Sequence, residues 1–155
     1  MQQPFKVAVL AACPFPSHQG TQVFVRHLAE AQAQAGHHVE LLSYGYGEGS
    51  AEGPFIHHRA PSLNAGLRSG PGLRRLVNDF TLALKASRIV SRGTFDVLHA
   101  HNVEGLLIGA ALKAAGLKAP LIYHAHNTME DELPTYFKRA PSKACAWAAG
   151  KLFDV

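Results

Sequence analysis

The chain has 155 residues, 47% hydrophobic, 17% charged and 8% aromatic, the content of one folded domain that buries about 70% of its extended-chain surface without a disulfide or metal staple; disorder and low complexity are excluded. No apolar run approaches the ~20 residues that cross a bilayer, and two cysteines, Cys13 and Cys145, form no disulfide framework and suit a reducing compartment. The net charge of +4 is local: residues 59–92 hold seven basic residues and one acid, Asp79, while residues 1–58 hold two basic and four acidic ones and residues 93–155 hold six of each, so a phosphate-bearing partner or an anionic surface would meet that one segment.

Residues 6–12 (KVAVLAA) form a short continuous apolar run, the pattern of a strand buried on both faces. Residues 10–13 have the form of a lipoprotein cleavage box. The apolar stretch before the box is too short for a signal h-region of roughly 7–15 residues, and Lys6 is its single cation. Residues 13–20 (CPFPSHQG) are a loop. Residues 21–35 read as a helix with Val23, Phe24, Leu28, Ala31 and Ala35 at helical spacing, stopped by Gly36 in a left-handed cap. Strands follow at residues 38–44 and 55–59, separated by a loop with four glycines.

Residues 60–72 are irregular, and Leu73–Arg92 reads as a long helix. Leu73, Leu76, Val77, Phe80 and Leu84 form its apolar stripe. Arg74, Lys85, Arg88 and Arg92 fall within an arc of about 60° beside that stripe, so the helix can pack as core and also touch anionic lipid. A strand at residues 95–101, an almost wholly apolar helix at 104–115 and a strand at 120–126 come next. Thr128 and Asp131 open a short helix with a variant capping box, and residues 142–153 form a last helical segment. The alternation predicts an α/β fold: a Rossmann-like, doubly wound parallel sheet in three α/β/α layers. Its ligand crevice lies at the carboxyl ends of the strands, where strand order reverses. The loops after the first, fourth and fifth strands, at residues 13–21, 101–104 and 126–132, would line it.

Gly20 and Thr21 open a helix, whose N-terminal N–H groups suit a phosphate. The loop is neither a dinucleotide fingerprint nor a P-loop. The fourth and fifth strands both end in His-Ala-His-Asn, at residues 99–102 and 124–127. Each histidine pair shares one sheet face. The inner members, His99 and His124, are expected to be buried and hydrogen-bonded, and His101 and His126 to lie at the crevice mouth, where imidazole can donate to a sugar hydroxyl or phosphate oxygen. Asn102 and Asn127 suit helix capping or a polyol. The His-x-His ends with Glu130, Asp131 and Glu132 leave a second reading open, a free-standing α/β metallohydrolase or ligand-binding domain. Glu40 and Glu48 have no reason to converge, and the aromatics are not interleaved with the basic residues as in a nucleic-acid-binding sheet.

Taken in order, KVAVLAACPFPSHQGTQVFVRHLAEAQAQAGHHVELLS, FDVLHAHNVEGLLIGAALKAAG and PLIYHAHNTMEDEL resemble the N-terminal, acceptor-side domain of retaining glycosyltransferases with two facing Rossmann-like domains, the GT-B fold of glycosyltransferase family 4. The likeness runs from Lys6 to about Leu133. It implies that residues 1–155 are one Rossmann-like domain and half of a GT-B enzyme, without the C-terminal nucleotide-sugar-binding domain. By itself the chain would then be inactive. The whole enzyme would move a hexose from a nucleotide diphosphate sugar, with retention, to a lipid-linked or glycan acceptor, and would need no metal or other cofactor. Gly20 and Thr21 match the glycine loop near the donor diphosphate and acceptor, with one glycine where many relatives have two. Asn102 and Glu104 match the acceptor-side loop. His126 matches the histidine that reaches the donor sugar, and Asn127 its variable neighbour. Arg74, Lys85, Arg88 and Arg92 would form a membrane-facing surface. The implied partners are the sugar acceptor, the donor-binding domain and an anionic membrane, with no nucleic acid; the implied location is cytoplasmic, peripheral at the inner face of the membrane.

Overall fold

The computed structural model describes residues 3–64, 66 and 72–126. Among them the order is β1 (Lys6–Pro14), α1 (Gly20–Gln34), β2 (His38–Tyr44), β3 (Ile56–Ala60), α2 (Leu73–Arg92), β4 (Val97–His101), α3 (Asn102–Ala114) and β5 (Leu121–His124). The expected helices at 128–137 and 142–153, and Asn127, lie outside the described residues.

The strands form one parallel sheet in the order β3-β2-β1-β4-β5. The chain winds outward from β1 to β3, and α2 then carries it back so that β4 pairs with the other side of β1. The fold is therefore the expected Rossmann-like α/β arrangement, and strand order reverses between β1 and β4. One core, with Leu10, Leu42, Leu98, Leu82, Ile108 and Leu112, joins the sheet to α2 and α3. The other, with Val9, Leu41, Phe15, Val25 and Ala29, joins it to α1.

α3 lies close on the sheet because glycine faces it: a Cβ at Gly105 would stand 3.0 Å from the Leu10 carbonyl oxygen. Gly36 and Gly116, just past α1 and α3, have φ of +92° and +102°, the left-handed caps that favour glycine. β4 starts at Val97 rather than at Phe95, because Asp96 is tied to the start of β1. Its carboxylate accepts the Lys6 N–H at 2.7 Å, and its own N–H donates to the Lys6 carbonyl at 2.9 Å. Phe95 packs under the Lys6 ammonium.

The helix faces differ from expectation. α2 buries Asn78, Leu82, Ala86 and Val90 and turns its apolar stripe outward; Leu73 is 79% and Phe80 64% exposed. α1 likewise buries Gln22, Val25 and Ala29, and leaves Phe24 partly exposed. Both rows on each helix repeat at helical spacing. Contact with a flat parallel sheet selects the row of smaller side chains, which lets the helix approach. Asn78 is buried by a two-way amide pairing. Its Nδ2 donates to the Leu63 carbonyl at 2.9 Å and its Oδ1 accepts the Leu63 N–H at 2.7 Å. Beside the outward stripe, Arg74, Arg88 and Arg92 are exposed and Lys85 is half-buried.

Candidate functional site at the carboxyl ends of the strands

Three connections meet at the reversal point. After β1 the chain makes a short loop, and α1 begins at Gly20 behind Gln19, with no side-chain cap and no acid in its first turn. A Cβ at Gly20 would meet nothing within 4 Å, so there is room in front of Gly20 and Thr21. Uncapped N–H groups and the positive end of the helix dipole favour an anion there. The loop is held from the side: the Phe15 N–H donates to the Tyr46 carbonyl at 3.0 Å and the Glu48 N–H to the Pro16 carbonyl at 2.6 Å. Arg26 of α1 donates to the Glu52 carbonyl at 3.0 Å and to the Ser50 carbonyl.

After β4, Asn102 does not cap α3, which carries no side-chain cap bond. Its Nδ2 instead donates to the Ala12 carbonyl at 3.3 Å, tying the fourth connection to the end of β1. Its φ is +64°, alone among the described non-glycine residues. Asparagine tolerates this left-handed conformation better than most residues, and such backbone gathers at functional sites. Glu104 lies in the first turn of α3, where its charge suits the helix dipole.

The four histidines share the α1 side of the sheet: His99 is in register with Val9 of that core, and His101 with both Ala11 and His124. His101, expected at the crevice mouth, is wholly buried, while His126 is half-buried. The reason is Phe24 of α1, whose ring lies 6.1 Å from His101, 4.5 Å from His124 and 5.3 Å from His126. His101 Nδ1 is 3.0 Å from His126 Nε2. His99, expected to be hydrogen-bonded, has a buried Nε2 without a partner among the described residues, and so does His101. Burial first, and then His99, His126 and His124, push the His101 imidazole down to about 3. Burial also holds His99 and His126 below the usual histidine value, with His124 adding to both and His99 to His126. His99, His101 and His126 are therefore neutral at pH 7. The His99 and His101 rings stack at 4.5 Å. Among the described residues no three His, Cys, Asp or Glu side chains converge to hold a metal. Glu130, Asp131 and Glu132 lie outside those residues.

Sequence reasoning missed a polar pair at the same rim. The Tyr44 hydroxyl, at the end of β2, donates to Asp79 Oδ1. Burial, helped by Glu104, raises Asp79 to about 6 against the lowering effects of Tyr44 and Arg75. The available signal was Asp79 itself, the lone acid in the basic segment. Cys13 is buried, and burial pushes its thiol up to about 12, so it is an inert core side chain. Glu40 serves the fold, with Lys6 Nζ at 3.0 Å and His58 Nε2 at 2.7 Å from its carboxylate.

Residues 18–154 match the family model of Glycosyltransferase Family 4. Curated proteins give no match. Among solved structures, sucrose-phosphate synthase from Thermosynechococcus elongatus superposes with a TM-score of 0.61 at 15% identity, over 90% of this chain and 36% of that one. CalG4, the calicheamicin glycosyltransferase, gives 0.60 at 13% identity, over 99% and 41%. The chain thus spans well under half of each of these two, and at such identities the likeness is one of fold.

Proposed function

The chain belongs to glycosyltransferase family 4, and from that premise we propose that it is the acceptor-binding half of a retaining enzyme that moves a hexose from a nucleotide diphosphate sugar to a lipid-linked or glycan acceptor. One observation carries this reading: the uncapped first turn of α1, Asn102 and His126 come together where strand order reverses. In this reading the Gly20 and Thr21 backbone meets the leaving diphosphate, and His126 donates to a sugar hydroxyl. Asn102, Glu104 and Asn127 serve the acceptor side. A donor-binding domain would close the cleft, and the chemistry would rest on positioning and on stabilising the departing diphosphate. In a protein carrying both domains, His126→Ala is expected to lower turnover at least tenfold, about 1.4 kcal/mol. Unchanged steady-state kinetics would take His126 out of the site.

No helix among the described residues is long and apolar enough to cross a membrane. The outward stripe of α2, with Arg74, Lys85, Arg88 and Arg92 beside it, supports the reading of peripheral attachment to an anionic bilayer, and in that reading the enzyme works at the cytoplasmic face of a membrane. Apolar side chains would enter the interface while the cations meet headgroups, each worth about 1 kcal/mol near such a surface. Reversing the four charges to Glu is expected to weaken co-sedimentation with anionic phospholipid vesicles at least tenfold and leave neutral vesicles unaffected. Equal binding by the variant would return the patch to a solvated helix face.

A further inference from the structure

One ring nitrogen of His126 is committed, since its Nε2 is 3.0 Å from His101 Nδ1. Both rings are neutral, so one hydrogen lies between them and its position decides what His126 offers a ligand. His101 settles the question through its other nitrogen. That Nε2 is buried and has no partner among the described residues. A hydrogen there would be a buried donor without an acceptor, which forfeits its bond to water and gains nothing. A hydrogen on Nδ1 instead makes the 3.0 Å bond and leaves only a bare nitrogen inside.

We infer that His101 is the positioning residue of His126: its Nδ1–H donates to His126 Nε2, which forces the His126 hydrogen onto Nδ1 and presents that ring as a hydrogen-bond donor. This deepens the glycosyltransferase reading and rests on it, because a fixed donor suits a sugar hydroxyl or a diphosphate oxygen, both acceptors. The surroundings lock the arrangement. His101 is wholly enclosed at the end of β4, stacked on His99 at 4.5 Å and on His124 at 5.4 Å, with Phe24 of α1 against it. Among the described residues the titratable groups facing the pair are His99 from β4 and His124 from β5; α1 contributes the uncharged Phe24. His101 touches no ligand in this scheme and acts through His126 alone.

The test is nitrogen-15 NMR of the imidazoles in the full 155-residue chain, with no ligand added. In the unmodified protein at pH 8, His126 is expected to show a protonated Nδ1 and a bare Nε2. His101→Asn places an amide N–H where Nδ1–H was and is expected to keep that pattern. His101→Leu is expected to lose it and to raise the His126 titration midpoint by about one pH unit, because a bond to the neutral ring is gone. A hydrogen on His126 Nε2 in the unmodified protein would overturn the assignment, and that measurement needs no variant. So would a His126 midpoint that stays put or falls in His101→Leu. These spectra do not depend on sugar transfer. Unchanged turnover in His126→Ala would remove the enzymatic reading and leave the tautomer result standing.

Discussion

Acidification from pH 7 to pH 4 is expected to cost this fold about 3 kcal/mol through His101 alone. The folded state holds its imidazole at about 3, against the ordinary 6.5. Between those two values the unfolded chain binds a proton that the folded chain refuses. Stability from this group is therefore complete above pH 6.5 and falls by about 1.4 kcal/mol per pH unit as pH drops toward 3. His57, held at about 4 chiefly by burial, pulls the same way. Asp79 pulls in the opposite direction: raised to about 6, it adds stability as pH falls from 6 toward 3.8. The His101 share is isolated by urea unfolding of the parent and of His101→Asn at pH 7 and pH 4. The variant is expected to start lower and to lose clearly less on acidification. Equal losses in the two proteins would mean that His101 is not held neutral. Total stabilities run to about 5–15 kcal/mol, so the His101 share alone is a substantial fraction of what holds the parent folded near pH 4.

Truncating Leu82 to alanine is expected to cost about 3 kcal/mol, and truncating Phe80, two residues earlier, less than about 0.5 kcal/mol. Leu82 is 0% exposed, between α2 and the sheet, and Phe80 points away. A buried leucine loses its transfer free energy and leaves a cavity; an exposed phenylalanine loses little of either. Thermal or urea unfolding of the two variants decides which row of α2 meets the sheet. A larger loss at Phe80 than at Leu82 would reverse the helix.

The same helix shows what sequence can and cannot give. The limits Leu73–Arg92 and His38–Tyr44 were legible to the residue, because glycine and proline clusters punctuate them. So was the sheet's reversal at β1, because alternation with crossover helices leaves few topologies. The inward row of α2 was not legible, since period 3.6 marks amphipathicity without saying which stripe the sheet takes. At the site, the shared face of the four histidines followed from period two, but their depth did not. His101 is covered by Phe24, which lies at least 77 residues away along the chain from every histidine it touches, and only tertiary packing brings α1 over the end of β4. Asn102 was read as a cap because asparagine precedes a helix; its positive φ instead aims the amide across to Ala12.

The glycine-rich connection between β2 and β3 looks, by composition, like a freely exchangeable module. Its bonding makes it one piece with the loop in front of α1. Backbone bonds join Tyr46 to Phe15 and Glu48 to Pro16, and Arg26 grips the Ser50 and Glu52 carbonyls from within α1. Residues 45–54 moved from this chain into a relative would therefore need a guanidinium at the counterpart of position 26 to grip them. The two loops and that arginine are one structural unit and move together.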